Sequence, residues 1–369
     1  MTTKVSVERV YNFSAGPAVL PVPVLQQISD EMLALPGVGS SILEISHRGK
    51  KFIEILESTR QRLKSLLNIP DNYHILFLQG GSRLQFSMVP MNLLRQSGKT
   101  ASYILTGSWG KLAMAEAVRE GSVKTLWDGK DCNYDRVPTS LAAPDAASTA
   151  YVHYTSNETI QGVQFPGEPD VGSVPLVCDA SSEFMYKPID VSKYGMIYAC
   201  AQKNAGAAGL TVVIIREDLL PTGRDDLPGY LNYRNHAEND SCYNTPPTFA
   251  IYVLDLICKW LQDDIGGLSA MHEVNRGKAK LLYDVIDASN GFYKGHAQTD
   301  SRSLMNVTFK FANDQIEADF FKKAAQHDLT DLKGHRSVGG IRASIYNAMP
   351  VEGVSALAEF MKDFAAKNA

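Results

Sequence analysis

Short apolar runs recur along the first part of the chain, with helix-like segments between them. EILESTRQRLKSLLNI (54–69) and LQFSMVPMNLL (84–94) carry apolar residues at helical spacing. Continuous apolar strands that alternate with helices predict an α/β fold, with a mostly parallel central sheet covered by helices on both faces. The apolar runs are HILFLQ (74–79), ASYILT (101–106), AYVHYT (150–155), VPLVCD (174–179), MIYACA (196–201) and LTVVII (210–215).

A different pattern begins near residue 264, where long amphipathic segments alternate with a few strand-like ones. MNVTFKF (305–311) alternates like a strand with one solvated face. The other elements predicted there are helices at 268–288, 316–328 and 351–367 and a strand at 341–347. We therefore predict a smaller C-terminal α+β domain. The predicted boundaries are 17–263 for the large domain, and 1–16 with 264–369 for the small domain.

Composition excludes several classes of protein. The chain has 369 residues, 44% of them hydrophobic and 21% charged, with a net charge of −4. No basic tract predicts nucleic-acid binding, and no run approaches the roughly 20 apolar residues of a membrane span. The first residues lack the apolar core of a signal peptide. The five cysteines are scattered and never form a CxxC pair, which predicts reduced residues of a cytoplasmic protein and no metal site.

Two charged residues close apolar runs of the predicted sheet. Lys203 follows MIYACA, and Asp179 ends VPLVCD. Ligands of open α/β sheets collect beyond the carboxyl ends of the strands. Burial favours the uncharged amine of a lysine, which is a nucleophile, and pyridoxal phosphate needs such an amine together with a carboxylate. Alternatively, Lys203 reaches solvent and Asp179 is a helix N-cap.

A glycine turn adds an anion site to this pattern. QGGSRLQF (79–86) directly follows a predicted strand and leads into a helix, so the amides of Ser82 and Arg83 can face a phosphate. Most such turns only connect elements. Trp109 comes just after the next strand, where it either stacks on a flat ring or packs in the core.

These residues lie within motifs that resemble the phosphoserine aminotransferases, class-V pyridoxal-phosphate enzymes of fold type I. The resemblance runs nearly from end to end and is collinear. Its motifs are YNFSAGPAVLP (11–21), EISHRGKKF (44–52), GGSRLQF (80–86), HYTSNETIQG (153–162), DASSEFMYKPIDVSKYG (179–195), YACAQKNAGAAGLTVVIIREDLL (198–220), NTPPTFAIY (244–252) and KGHRSVGGIRASIYNAMP (333–350).

The resemblance implies a role for each cofactor residue. Lys203 would hold pyridoxal 5'-phosphate as an internal aldimine and then move a proton between the substrate and the cofactor. Asp179 would pair with the pyridinium, Trp109 would stack on the ring, and Thr159 would bond near the phenolic oxygen. The phosphate ligands would be Ser82, Arg83 and Gln202, with Asn244 and Thr245 supplied by the other subunit of a homodimer.

The resemblance also implies a substrate site built from cations. Arg48 and Arg342 would bind the acidic amino donor or keto acid, and His47, His335 and Arg336 would face a phosphate or distal carboxylate. Guanidinium groups bind carboxylates and phosphates bidentately, and dianionic substrates need more than one cation. Alternatively, the His-Arg pairs are solvated loop residues and Arg342 belongs to a structural ion pair.

The implied activity is transfer of the amino group of L-glutamate to 3-phosphohydroxypyruvate. The products are O-phospho-L-serine and 2-oxoglutarate, made by ping-pong kinetics in L-serine biosynthesis. In bacteria the family also acts on the 4-phosphohydroxy-threonine pair of vitamin B6 biosynthesis, and the resemblance extends to that side activity. The alternatives are another class-V enzyme, such as an alanine–glyoxylate aminotransferase or a cysteine desulfurase, and a non-catalytic binder of phosphorylated metabolites.

Overall fold

The computed structural model of the protein describes residues 9–220, 226–311 and 313–368. The helices are α1 (Val22–Glu31), α2 (Lys50–Leu67), α3 (Ser82–Leu93), α4 (Ser108–Ala117), α5 (Tyr233–Glu238), α6 (Thr248–Asp263), α7 (Leu268–Asp287), α8 (Glu317–Ala325) and α9 (Val351–Asn368). The strands are β1 (Tyr11–Asn12), β2 (Tyr73–Gln79), β3 (Thr100–Leu105), β4 (Ser122–Asp128), β5 (Thr149–Thr155), β6 (Asn157–Glu158), β7 (Val163–Gln164), β8 (Leu176–Asp179), β9 (Met196–Cys200), β10 (Leu210–Arg216), β11 (Tyr293–Gly295), β12 (Asn306–Phe311), β13 (Leu329–Thr330) and β14 (Ile341–Ser344).

The large sheet has seven described strands in the order β2-β10-β9-β8-β5-β3-β4. Strands β9, β8, β5, β3 and β4 pair in parallel, whereas β10 is antiparallel to both of its neighbours. Each of the six apolar runs contains or overlaps a strand of this sheet. The predicted fold class, a mostly parallel sheet with helices, is confirmed.

Both faces of the large sheet are covered because its strands are apolar on both sides. On one face, side chains such as Phe77, Val152 and Ile214 pack with α2 and α6. On the other face, Tyr103 and Tyr198 pack with α3 and α4. Covering both faces brings the carboxyl ends of β8 and β9 to one edge, together with the N-termini of the helices that follow β2 and β3.

A second sheet forms from β11, β12 and β14 after residue 290, and α7, α8 and α9 pack against it around Phe309 and Phe320. Strand β1 pairs in parallel with β13, so Tyr11 and Asn12 join this second unit. The domain boundaries at 16/17 and 263/264 stay a prediction, and residues 1–8 lie outside the described part.

A buried lysine fixes the turn between β14 and α9. Lys278 of α7 is 0% exposed, and its Nζ donates to the carbonyl oxygens of Tyr346 at 2.7 Å and Met349 at 3.1 Å. Within the same turn, the amide of Asn347 donates to Oδ1 of Asn204 at 2.8 Å. Because Asn204 follows Lys203, the second sheet's unit holds the lysine turn of the large sheet.

No helix in the described ranges is both long and apolar enough to cross a lipid bilayer.

Candidate active site

Lys203 lies in the turn between the antiparallel strands β9 and β10. Gly206 and Gly209 have φ values of +141° and +103°, which favour glycine, and they let the chain reverse here. Lys203 is partly buried. Its Nζ donates to Oγ1 of Thr159 at 2.9 Å and lies 5.4 Å from the ring centroid of Trp109. The amine therefore contacts two residues of the predicted cofactor site and does not simply extend into solvent.

Asp179 is the last residue of β8, the parallel neighbour of β9. Its side chain accepts hydrogen bonds from the amide and the hydroxyl of Ser181, the amide at 3.0 Å. Burial raises the pKa of Asp179, whereas the charge of Lys203 and the bonds from Ser181 lower it. Residues 181–185 form turns, so Asp179 is not a helix N-cap. It is a buried carboxylate close enough to Lys203 to interact with its charge.

The glycine turn after β2 leaves open space at the N-terminus of α3. Gly80 has a φ of +100°, and Gly81 is the N-cap and supplies no side-chain hydrogen bond. A Cβ atom added to Gly81 would meet nothing within 4 Å. The hydroxyl of Ser82 bonds to that of Ser181, and the guanidinium carbon of Arg83 lies 5.8 Å from the Trp109 ring centroid. This potential anion site therefore adjoins Trp109 and, through Ser181, Asp179.

Trp109 is held at the start of α4 by a carboxylate that the residue patterns did not single out. The amides of Trp109 and Gly110 donate to Glu158 at 3.0 and 2.9 Å. The Trp109 ring also packs on Phe86, with centroids 6.4 Å apart. Burial raises the pKa of Glu158 to about 7, and the two amide bonds oppose that shift.

Three of the predicted substrate cations lie close together on and before β14. Arg342 is partly buried, burial lowers its pKa, and no described carboxylate opposes that shift, so no described residue supplies the structural ion pair of the alternative. Burial also lowers the pKa of His335, and the positive charges of Arg342 and Arg336 add to that effect. Arg336 is exposed. Arg342 and Arg336, which have no acidic partner among the described residues, favour an anionic ligand, and two guanidinium groups suit a dianionic one.

The remaining predicted residues have contacts of another kind. Nε2 of His47 is buried without a partner among the described residues. Burial raises the pKa of Cys242, and the positive charge of the exposed Arg48 opposes that shift. The carbonyl of Thr245 accepts from Nε2 of Gln79 at 2.9 Å. Burial raises the pKa of Tyr230, and the nearby side chain of Asn244 opposes that shift. Within one subunit, these contacts place Arg48 beside the segment that leads to Asn244. None of them connects Arg48 or Asn244 to Lys203.

A family model, aminotransferase class-V, matches residues 10–357. The chain belongs to the class-V aminotransferase family. The family predicted from the sequence motifs is thereby confirmed. Class-V aminotransferases are pyridoxal-phosphate-dependent transaminases, so the predicted enzyme class and cofactor are confirmed as well.

Several relatives of this class-V aminotransferase belong to one enzyme type within the family, the phosphoserine aminotransferases. It is 60% identical over 364 residues to the phosphoserine aminotransferase of Rhodopirellula baltica, an alignment that covers 98% of this chain and 96% of the relative. The solved phosphoserine aminotransferase from Bacillus circulans subsp. alkalophilus has a TM-score of 0.95 and 45% identity, over 98% of this chain and 100% of that one. A pyridoxal-phosphate-bound phosphoserine aminotransferase from Trichomonas vaginalis gives 0.90 and 41%, over 96% and 100%.

The residues of this class-V aminotransferase fit pyridoxal phosphate. Nε1 of Trp109 and Oε1 of Gln202 are buried and have no partner in the described ranges. Buried polar atoms are rarely left unpaired unless a ligand or water satisfies them. The open N-terminus of α3 suits a phosphate, the indole of Trp109 suits a flat ring, and Lys203 and Asp179 supply the amine and the carboxylate.

The sequence motifs did not predict a role for two residues of the candidate site, Glu158 and Ser181. Glu158 is the one charged residue of HYTSNETIQG (153–162), and an isolated charge in a nonpolar or uncharged segment is a detectable signal. Ser181, two residues after Asp179, connects that carboxylate to Ser82. A serine two residues beyond an aspartate is common in turns, so its sequence position carries little information.

Proposed function

We propose that this protein is a phosphoserine aminotransferase that transfers the amino group of L-glutamate to 3-phosphohydroxypyruvate in L-serine biosynthesis. The observation that carries the proposal is the amine of Lys203, which lies between Thr159 and the Trp109 ring and close to Asp179. Support for the substrate comes from the 60% identity to a phosphoserine aminotransferase over nearly the whole chain.

The residues around Lys203 divide the chemistry among them. Bound pyridoxal phosphate stores the amino group between the half-reactions and accepts electrons from the substrate α-carbon. Nζ of Lys203 would hold the cofactor, and as a free amine it would move the proton of the substrate α-carbon. Asp179 would stabilise positive charge on the cofactor ring, and Trp109 would orient that ring. Because one site serves both half-reactions, ping-pong kinetics are expected.

The cationic group on β14 supplies substrate recognition in this proposal. Arg342 is partly buried, where a planar guanidinium binds a carboxylate in bidentate geometry. Arg336 extends the same positive region toward solvent, and His335 lies beside it as an imidazole whose neutral form is favoured by burial and by the two guanidinium charges. A substrate with a carboxylate at one end and a phosphate or second carboxylate at the other matches this arrangement.

The contribution of Arg336 to phosphate recognition is testable with paired substrates. In Arg336→Ala, we expect kcat/KM to fall about 10- to 100-fold for 3-phosphohydroxypyruvate, because a charge-assisted hydrogen bond to an anion contributes about 1.5–3 kcal/mol. Hydroxypyruvate, which lacks the phosphate, is expected to lose less than about threefold. The measurement is steady-state kinetics with glutamate as donor.

The control is Lys333→Ala, which removes an exposed cation three residues earlier on the same segment. It is expected to leave both substrates within about twofold of the wild-type values. Equal losses for the two substrates in Arg336→Ala would contradict the phosphate contact. Faster turnover of glyoxylate than of 3-phosphohydroxypyruvate by the wild-type protein would instead favour an alanine–glyoxylate aminotransferase.

We further propose that the active unit is a cytoplasmic homodimer. Large apolar side chains are exposed along the segment before α2 and beside Asn244, including Leu33 at 89%, Leu43 at 63% and Tyr243 at 45%. Exposed apolar groups of this size are typical of protein interfaces. The interaction of Arg48 with Cys242 brings these two segments together. The described cysteines are all free thiols, as in a reducing compartment.

Subunit complementation tests whether Asn244 and Thr245 complete the neighbouring subunit's site. Lys203→Ala and the double variant Asn244→Ala/Thr245→Ala are each expected to have little activity alone. Coexpression should restore up to about a quarter of wild-type activity, because half of the dimers are mixed and each mixed dimer has one intact site.

The control for complementation replaces the double variant with Arg83→Ala. Arg83 is near Trp109 of its own subunit, so a mixed dimer with Lys203→Ala contains no intact site and should remain inactive. No recovery with the double variant would show that Asn244 and Thr245 act within their own subunit. Recovery with Arg83→Ala would show that Arg83 serves the neighbouring subunit's site, and the complementation would then no longer single out Asn244 and Thr245.

A further inference from the structure

A buried carboxylate caps the first turn of α4 from a distant part of the chain. Glu158 is 0% exposed, and its two carboxylate oxygens accept the amides of Gly110 at 2.9 Å and Trp109 at 3.0 Å. The first amides of a helix have no partners within the helix, and the helix dipole favours an anion there. Both oxygens of Glu158 are therefore used to hold the backbone of Trp109.

The capping contact is specific to this pair of segments. The N-cap residue of α4 is Gly107, which has no side chain to satisfy these amides. A Cβ atom at Gly107 would lie 2.6 Å from Cδ of Glu158 and 2.5 Å from Oε1 of Gln161. Gln161 in turn accepts from the amide of Ser108 at 3.3 Å and donates to its hydroxyl at 2.9 Å. Two side chains of the 158–161 turn thus take the place of the N-cap side chain that Gly107 lacks.

The same turn also contacts Lys203. Thr159 follows Glu158 directly and accepts from Nζ of Lys203 at 2.9 Å. Asn157 precedes Glu158, and its Nδ2 donates to Ser182 and Asn306, each at 2.8 Å. The turn is therefore anchored to both sheets, and two adjacent residues of it hold Trp109 and Lys203.

The environment of Glu158 explains why a carboxylate is needed. Burial raises its pKa to about 7, the two amide bonds lower it, and the nearby charges of Asp179 and Lys203 act in opposite directions. A glutamine has the same shape but only one acceptor oxygen, so it would leave one of the two amides facing an NH₂ group. An aspartate keeps both acceptor oxygens but is one methylene shorter, so its carboxylate would not reach both amides.

We propose that Glu158 is a positioning residue for transamination: by binding the amides of Trp109 and Gly110 with both carboxylate oxygens, it fixes the plane of the Trp109 ring beside Lys203. This inference rests on the proposed stacking role of Trp109. Glu158 itself acts through Trp109 and needs no contact with substrate. Displacements of about 1 Å at a cofactor-stacking side chain are large enough to lower turnover 10²-fold.

The test compares Glu158→Gln with Glu183→Gln. Glu183 is a second carboxylate whose pKa burial raises; it accepts from Gln164 and does not cap α4. In the cofactor-free protein, the amides of Trp109 and Gly110 should exchange at least about tenfold faster in Glu158→Gln than in the wild type. With pyridoxal phosphate bound, the circular dichroism induced in the cofactor band should weaken, and kcat should fall about 10- to 100-fold with KM within about threefold.

Glu183→Gln should leave exchange at these two amides, the cofactor band and kcat within about twofold of wild type. Unchanged exchange and circular dichroism in Glu158→Gln, or the same changes in both variants, would overturn the proposal. If Glu158→Gln does not fold, the same exchange measurement is made on Glu158→Asp. At least one of the amides of Trp109 and Gly110 should then exchange faster than in the wild type, and full protection of both amides would overturn the positioning role of Glu158. A wild-type protein unable to bind pyridoxal phosphate would instead refute the proposed function. If the wild-type protein binds it and transaminates, unchanged exchange and circular dichroism in the Glu158 variants would refute only this inference.

Discussion

Replacing Lys203 with alanine is expected to lower transamination by roughly 10⁴-fold or more, the largest effect of any single substitution in the site. In the proposed mechanism, this single amine both holds the cofactor and moves the substrate proton, so the variant would lose both roles. The bond to Thr159 and the approach to Trp109 are lost with it. The measurement is steady-state formation of 2-oxoglutarate from glutamate, together with single-turnover kinetics.

Lys187→Ala is a matched control for this prediction. Nζ of Lys187 lies 5.4 Å from the ring centroid of Tyr186, the same separation as between Lys203 and Trp109, but it donates to the exposed carbonyl of Pro166. Its removal should leave turnover within about twofold of wild type. Borohydride reduction of the wild-type holoenzyme should label Lys203. Wild-type turnover in Lys203→Ala would contradict the central assignment.

Much of the fold was predictable because the central strands are buried on both faces. A short, continuous apolar run rich in β-branched residues, such as LTVVII (210–215), favours a strand inside a covered sheet, and it forms most of β10. The direction of β10, antiparallel to its neighbours, was not predictable, because direction depends on the length and path of the turn at Lys203. Strand β4 was missed, because its residues SVKTLWD (122–128) are half-exposed or exposed at the edge of the sheet.

The proximity of two candidate-site residues was predictable because they lie at the ends of neighbouring strands. Asp179 and Lys203 end or follow apolar runs, and parallel pairing of β8 and β9 brings them to the same edge. Contacts between distant segments carry no local signal. Glu158 and Trp109 are 49 residues apart and the sequence offers no pattern that joins them. The proximity of Arg48 to Cys242 is a second example, since it depends on how α2 packs beside the segment after α5.

The second large effect is expected at Asp179. In Asp179→Asn the side chain keeps its size, and its remaining oxygen can still accept a bond from Ser181, but the negative charge is lost. We expect kcat to fall about 10²- to 10³-fold, because removing a preorganised charge from a buried site costs about 2.7–4 kcal/mol of transition-state stabilisation. The affinity for pyridoxal phosphate should fall as well, and both quantities are measured by spectroscopic titration and steady-state kinetics.

The chain contains its own control for Asp179. Asp190 accepts hydrogen bonds from the amide of Ser192 at 3.1 Å and from its hydroxyl at 2.6 Å, the same pattern that Asp179 makes with Ser181. Asp190 is exposed and lies outside the site, so Asp190→Asn tests loss of charge in the same local turn. Turnover in Asp190→Asn should stay within about twofold of wild type. If the two variants had similar turnover, Asp179 would be a residue that stabilises the turn, and the charge required by the cofactor ring would have to come from elsewhere.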